Sequence, residues 1–249
     1  MPQPDSSLKA PRLIVAGATA AVLALIALAM AGLGYRAEWW GLSAAFRLFM
    51  IGGGLGAIAF FLSLASLVTK RRSSARMVVS ILALVVGAAV AGTFARWLIT
   101  ARTVPPIHDI TTDTDDPPQF IAILPLRAHA KNSAIYGGPS VAAKQRTGYP
   151  DVQPIVLNTS AVEAFNRALV VSHSMGWKIV AADSTTGRIE ATATTRWFGF
   201  KDDIVVRVRP MGSAGSRVDV RSESRIGGSD VGTNAARIRM FSRLMTVPR

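Results

Sequence analysis

Three stretches in the first hundred residues carry no charged side chain: 23 residues between Arg12 and Arg36, 22 between Arg47 and Lys70, and 19 between Arg76 and Arg96. At roughly 1.5 Å rise per residue, a helix over each is long enough to cross a hydrocarbon layer of about 30 Å. One such run could be a buried helix of a globular protein. Three in series, separated by short polar breaks, predict membrane spans over about residues 13–35, 48–69 and 77–100. Residues 1–102 are then a three-helix transmembrane anchor, and the lipid bilayer is the first partner of the chain.

Charge gives the spans a direction. Lys9 and Arg12 precede the first, and Lys70, Arg71, Arg72 and Arg76 crowd the link between the second and third, which makes those ends cytoplasmic. Trp39, Trp40 and Trp97 fall where an outer aromatic belt belongs. Three crossings leave the C-terminal part outside. The expectation is a multi-pass protein of the cytoplasmic (inner) membrane, N-terminus inside, with an extracytoplasmic or periplasmic domain in the cell envelope. A second reading makes the first run a cleaved signal peptide, with small residues Ala27, Ala29 and Ala31 near the cleavage site. The run is longer than the usual apolar region of about 7–15 residues, and both readings put the domain on the same side.

The net charge of +13 divides as +8 for residues 1–102 and +5 for the rest. Most of the excess thus flanks apolar runs, and no Lys/Arg stripe with interleaved aromatics follows, so nucleic acid is not expected as a partner. With no cysteine in the chain, thiol catalysis, disulfides and Cys-ligated metals are excluded. No acidic residue lies inside a span, which leaves an ion pathway without a relay. Gly52 and Gly56, Gly53 and Ala57, and Gly87 and Ala91 are small residues four apart, suited to close packing of the spans on one another or to dimerisation.

Residues 103–118, rich in Pro, Thr and Asp, read as a linker, and residues 119–249 as the extracytoplasmic domain. The run 120–126, FIAILPL, reads as a strand or extended packing segment. Ser160 with Glu163 forms a capping box, Val162, Phe165 and Leu169 share a helical face, and Gly176 supplies a stop, which predicts a helix from Ala161 to Met175. Four strands follow in a meander, then a helix from about Asp230 to the terminus. The fold class is α+β: three N-terminal transmembrane helices, then a four-stranded antiparallel sheet with two helices on one face.

Alternation assigns Ile189, Ala191, Ala193, Ile204, Val206, Val208, Val218 and Val220 to the core face and Glu190, Thr192, Arg207, Arg209, Asp219 and Arg221 to a solvated face. The turns set a register with Ala193 opposite Val206, Val208 opposite Val218, Glu190 opposite Arg209 and Arg207 opposite Asp219.

The segments GYPDVQPIVLN, GRIEATATTRWFGFKDDIVVRVRP and SRVDVRSESRIGGSDVGTNAARIRMF resemble, in order and spacing, the family known as domain of unknown function 1499. The resemblance covers about residues 119–246 and implies kinship without a reaction, ligand or partner.

No catalytic constellation emerges from the residues. His108, His129 and His173 are scattered without metal-ligand spacing, so no metal and no cofactor is expected. There is no G-x-S-x-G elbow and no phosphate loop. Asp202 and Asp203 are neighbours that a strand would send to opposite faces, to pair with Arg196 or Arg221. The candidate binding surface gathers Arg196, Trp197, Phe198, Phe200, Asp202 and Asp203 in one turn, with Arg221, Arg225, Asp230 and Asn234 near the same sheet edge, because exposed rings mixed with arginines compose interface centres. Two function classes stand: a non-catalytic binding or scaffolding module for an envelope protein, lipid or cell-wall ligand, or an envelope hydrolase or transferase using Asp202, Asp203 and Asp230 with nearby arginines.

Overall fold

The computed structural model describes residues 9–68, 73–212 and 214–247. Lys70, Arg71 and Arg72 of the cationic link lie outside the described residues. The chain forms two compact units: one holds three long helices together with Arg196–Gly199, and the other holds Thr100–Thr195 and the chain from Phe200 onward.

In the first unit, α1 (Lys9–Arg36), α2 (Leu42–Val68) and α3 (Ser74–Thr103) are each long and apolar enough to cross a membrane. The glycines are used inside this bundle. A Cβ at Gly87 would lie 2.5 Å from the Phe60 backbone nitrogen, and one at Gly52 would lie 2.8 Å from Leu28 Cδ2. Only glycine permits helices to approach so closely, and in lipid this contact replaces the hydrophobic drive available in water. Near the helix ends Ser66 Oγ donates to Ser80 Oγ across 2.8 Å, joining α2 to α3 through a buried polar pair.

The second unit is built on one antiparallel sheet. Its strands are β1 (Asp109–Thr111), β2 (Ile155–Leu157), β3 (Lys178–Asp183), β4 (Arg188–Thr194), β5 (Lys201–Met211) and β6 (Gly215–Ser224). The order is β1-β6-β5-β4-β3, with β2 also pairing β6. The four-strand meander is therefore extended at the β6 side by two short strands. One of them, β1, comes from the stretch expected as linker; three residues flanked by Pro and Asp are too short a run to show strand alternation. α4 (Gly138–Gly148), α5 (Ala161–Ser174) and α6 (Thr233–Thr246) complete the unit. The Ser160/Glu163 capping box is present in full, and Gly176 at φ +71° follows the helix. The buried face of α5 is Ala164, Phe165, Ala168 and Val171, whereas Val162 is exposed.

The core lies between the sheet and helices α5 and α6, where Phe165, Ile238, Phe241 and Met245 meet Ile189, Ala191, Ile204, Val206, Val218 and Val220. Trp177 stacks on Phe241 at 5.4 Å between ring centroids. The register agrees with expectation between β5 and β6, with Val208 opposite Val218 and Arg207 opposite Asp219. Between β4 and β5 it is shifted: Ile189, not Ala193, faces Val206, and Glu190 faces Val205 rather than Arg209. The shift is an even number of residues, so every face assignment survives it. Its cause is the β4–β5 turn, where Thr195 and Phe200 close the base by Thr195 N–H to Phe200 O and Phe200 N–H to Thr195 Oγ1, both 2.9 Å.

The face expected to be solvated is not. Glu190, Asp203, Asp219, Arg221 and Glu223 are fully buried, and residues 112–136, which follow β1, cross this side of the sheet. The run 120–126 is no strand: it turns through Ile121 and ends in a 3-10 turn at Leu124–Arg127. Alternation reports which residues share a face, and a polar face covered by polar chain has the same pattern as one covered by water.

Candidate functional site

Beneath that crossing segment, the sheet presents charges in two sets. In the first, Arg127 donates to Asp203 at 2.7 Å and to Glu223 at 2.9 Å, Arg225 holds both Asp203 oxygens at 2.8 Å, and Arg221 grips Asp109 at 2.9 and 2.8 Å and reaches Glu223 at 3.3 Å. Three guanidinium groups thus meet three carboxylates. Phe120 packs against the Arg221 and Arg127 guanidinium groups, 4.8 and 5.5 Å from its ring centre. Burial, reinforced by the Asp109 charge and opposed by Arg127 and Arg221, pushes the Glu223 carboxyl up to about 8. Glu190 has the Arg188 guanidinium at 4.0 Å, and its carboxylate accepts the backbone N–H groups of Ile121, Ala122 and Ile123 at 2.9 to 3.1 Å.

The second set joins Arg207, Arg209 and Arg217 to Asp113, Asp116 and Asp219, with Asp219 accepting from all three arginines at 2.9 to 3.1 Å. Arg209 and Arg217 of this set form one wall of an open cleft of about 660 Å³, whose other walls are the Thr112–Asp116 stretch, Gln145, Arg146 and Tyr149 at the end of α4, and Val152, Gln153 and Pro154. Gln145 is spent on the fold, exchanging hydrogen bonds with the Thr111 backbone at 3.0 and 2.6 Å. Arg146 is half exposed and reaches Thr114 Oγ1 at 2.7 Å and Asp115. The Tyr149 hydroxyl, raised to about 12 by burial and then by Asp230, has no hydrogen-bond partner among the described residues.

The residues expected to share one surface are distributed. Asp202 and Asp203 do diverge, but to other partners than Arg196 and Arg221: Asp202 turns to the helix side and pairs with Arg237 at 2.6 Å, while Asp203 takes Arg127 and Arg225. Asn234 is buried on that helix side, accepting from Ser222 at 2.7 Å and donating to the His108 carbonyl and Ser224. Asp230 precedes α6 and accepts the N–H groups of Gly232 and Asn234 at 2.9 and 2.7 Å; burial raises its pKa. The helix expected from about Asp230 starts at Thr233, with Gly232 at the cap position and Asp230 holding the Asn234 N–H of its first turn. Arg221 and Arg225 belong to the opposite, covered face.

The rings of the turn lie with the first unit. Trp197 packs edge-on to Phe49 at 5.7 Å and over Gly32, where a Cβ would come within 2.2 Å of its ring. Phe198 neighbours Tyr35 and Phe46 at 6.3 and 6.4 Å, and the Arg196 carbonyl accepts from Arg36 Nη1 at 2.6 Å. Phe49 also meets Trp97 at 4.9 Å, so these rings extend an aromatic cluster of the bundle.

Arg127, Asp109, Glu223, Arg237 and the Asp113–Asp116 stretch were not singled out in the sequence, and Glu190 was given Arg209 as its partner. One signal was available: an acidic run, TDTDD, precedes a sheet whose β5 and β6 carry arginine at alternate positions 207, 209 and 217. Among the described residues no three His, Asp or Glu side chains are grouped to hold a metal ion. Chemically, the covered carboxylates are engaged by arginines, whereas the cleft offers donors and acceptors open to solvent.

A comparison with curated proteins gives no match. A family model described as protein of unknown function (DUF1499) matches residues 109–245, beginning on β1 and ending in α6. The chain, a protein with three helices able to span a membrane, belongs to that family.

Proposed function

We propose that this protein is a non-catalytic binding module of the cell envelope, tethered in the cytoplasmic membrane with its second unit on the outer side, and that the Asp113–Arg146 cleft is where a ligand docks. The observation that carries the reading is the cleft itself: about 660 Å³, open, and lined by paired carboxylates and guanidinium groups beside Thr114, Gln153 and Tyr149. Such a lining presents donors and acceptors in near balance, which suits a neutral, polyhydroxylated ligand such as a cell-wall saccharide better than a strongly charged one. The hydrolase or transferase alternative draws less support. Asp202 and Asp203 are held on opposite faces by arginines, and Asp230 is occupied in capping α6. A nucleophile and base need hydrogen-bond reach of one another and of substrate.

The sidedness rests on the basic residues at the N-terminus and between the second and third spans. A reporter active only outside the cytoplasm should be active when fused after Pro210 and silent when fused near Ser73; the opposite pattern reverses the assignment. For the cleft, the detergent-solubilised full chain should melt higher in the presence of cell-wall saccharide fragments, and Arg146→Ala should remove that shift. Conversion of a fragment to product, detected by mass spectrometry, would overturn the non-catalytic reading in favour of the hydrolase or transferase.

A further inference from the structure

From Pro117 to Pro150 the chain has no acidic residue, while Arg127, His129, Lys131, Lys144 and Arg146 fall within it. The part of this segment that crosses the sheet is pinned by polar bonds on its inner side. Glu190 takes three successive backbone N–H groups at Ile121, Ala122 and Ile123, Arg225 Nη1 donates to the Leu126 carbonyl at 2.8 Å, and Arg221 donates to the Ala134 carbonyl at 2.9 Å. Phe120 and Ile123 turn inward, joining Val205 in a small cluster against which Ala134 packs, and the Tyr136 ring lies 5.6 Å from the Arg221 guanidinium.

The outward side is the reverse of what a solvent-facing turn carries. Ile121 is 58% exposed, Leu124 46%, Leu126 54% and Ile135 80%. Ala122, Pro125 and Ala128 are exposed between them. Turns facing water are built from Gly, Asn, Asp and Ser. Because the backbone here is bonded to Glu190, Arg225 and Arg221, these aliphatic groups cannot fold inward without breaking buried charge-assisted bonds. A fixed apolar knob of this size marks an interaction site.

We propose that the Ile121–Ala128 turn, with Ile135, inserts into the headgroup and acyl boundary of an anionic lipid bilayer. A chain with three spans keeps a bilayer permanently at high effective concentration, so even a modest apolar contact is populated. The lack of acidic residues removes repulsion from anionic headgroups, and exposed His129 and Lys131 follow the apolar run directly, the arrangement that combines apolar insertion with electrostatic attraction. This contact is separate from the cleft and stands whether or not the cleft binds a saccharide.

The chain has no cysteine, so single labels can be placed without background. Full-length Leu126→Cys carrying a nitrobenzoxadiazole label, in nanodiscs of phosphatidylglycerol and phosphatidylcholine, should lose fluorescence when the acyl chains are brominated. The same label at Val162→Cys, 67% exposed on α5, should not. Quenching at position 126 should weaken in phosphatidylcholine alone, and a label at Ile135→Cys should lose its quenching when Leu124 and Leu126 are both changed to Glu, with the melting temperature unchanged. Absence of quenching at position 126, or equal quenching at 162, overturns the proposal. So does efficient disulfide formation between unlabelled Leu126→Cys chains in the same nanodiscs, which would assign the knob to a second copy.

Discussion

One sheet in this protein has two interiors. On its helix side, β4, β5 and β6 bury Ile189, Ile204, Val206, Val218 and Val220 against Phe165, Ile238 and Phe241. On the other side the same strands bury Glu190, Asp203, Asp219, Arg221 and Glu223 beneath residues 112–136. The first interior is held by removal of apolar area from water and tolerates any geometry that fills space. The second has a strict requirement: each buried charge must find its partner at hydrogen-bonding distance, because an unpaired one costs several kcal/mol. An ionic interior therefore adds little net stability over an apolar one, but fixes the path of the covering segment residue by residue. That is how a stretch rich in Pro, Thr, Asp and Ala holds one conformation over the sheet.

The largest test of this contrast removes one member from each side. Arg221→Met keeps most of the side-chain volume but leaves Asp109 and Glu223 short of a partner, with an expected loss of about 3–5 kcal/mol. Phe241→Ala opens a cavity beside Trp177 and should cost a similar amount, about 3–5 kcal/mol. Denaturant unfolding of the solubilised chain, followed by near-ultraviolet circular dichroism, measures both. The two should differ in kind: asparagine at position 109, which removes a charge left unpaired, should recover part of the Arg221→Met loss and none of the Phe241→Ala loss. A loss below about 1 kcal/mol for Arg221→Met would place the charged side with ordinary surface pairs.

A smaller effect separates the interiors by pH. Glu223 ordinarily titrates near 4.5 and in the folded protein near 8. Between those values the folded state keeps a proton that the unfolded chain has released, so stability falls as pH rises from about 5 to about 8. Glu223→Gln should flatten that slope, whereas Ile238→Val, on the apolar side, should lower the whole curve by about 0.5–1.5 kcal/mol and leave its slope intact. Melting temperatures across the range decide it. The smallest effect belongs to the rim: Arg146 and Asp115 are 55% and 87% exposed, and Arg146→Ala should cost no more than about 1 kcal/mol. A larger loss would mean that the cleft wall is part of the ionic interior.

How much of this was legible depends on the kind of signal. The capping box at Ser160 and Glu163 and the alternation of β5 and β6 are local patterns, and both were readable as they stand in the structure. The β4–β5 register was missed by four residues because it depends on where the Thr195 and Phe200 backbones close the turn, which alternation does not report. The covered face was missed for another reason. Glu190 looks alike whether it faces water or the N–H groups of Ile121 to Ile123, which are 67 to 69 positions away in the chain.

By itself, the sequence determined three helices able to span a membrane, an α+β unit after them, the faces to which the alternating residues of β4, β5 and β6 belong, and membership of a family. Uncharged length, periods of 2 and 3.6, and motif order are properties of neighbouring residues, so they need no folded partner to be read. Tertiary structure alone decided that residues 112–136 roof the sheet, that Arg127 and Glu223 complete an ion-pair set with Asp203 and Asp109, and that Asp113 to Asp116 wall a cleft with Arg209 and Arg217. Each of these joins segments separated by some seventy to a hundred residues. Among many arginines and aspartates of equal charge, nothing local chooses the pairs; the choice is made by which chain crosses which face, which brings only a few partners within reach of each desolvated charge.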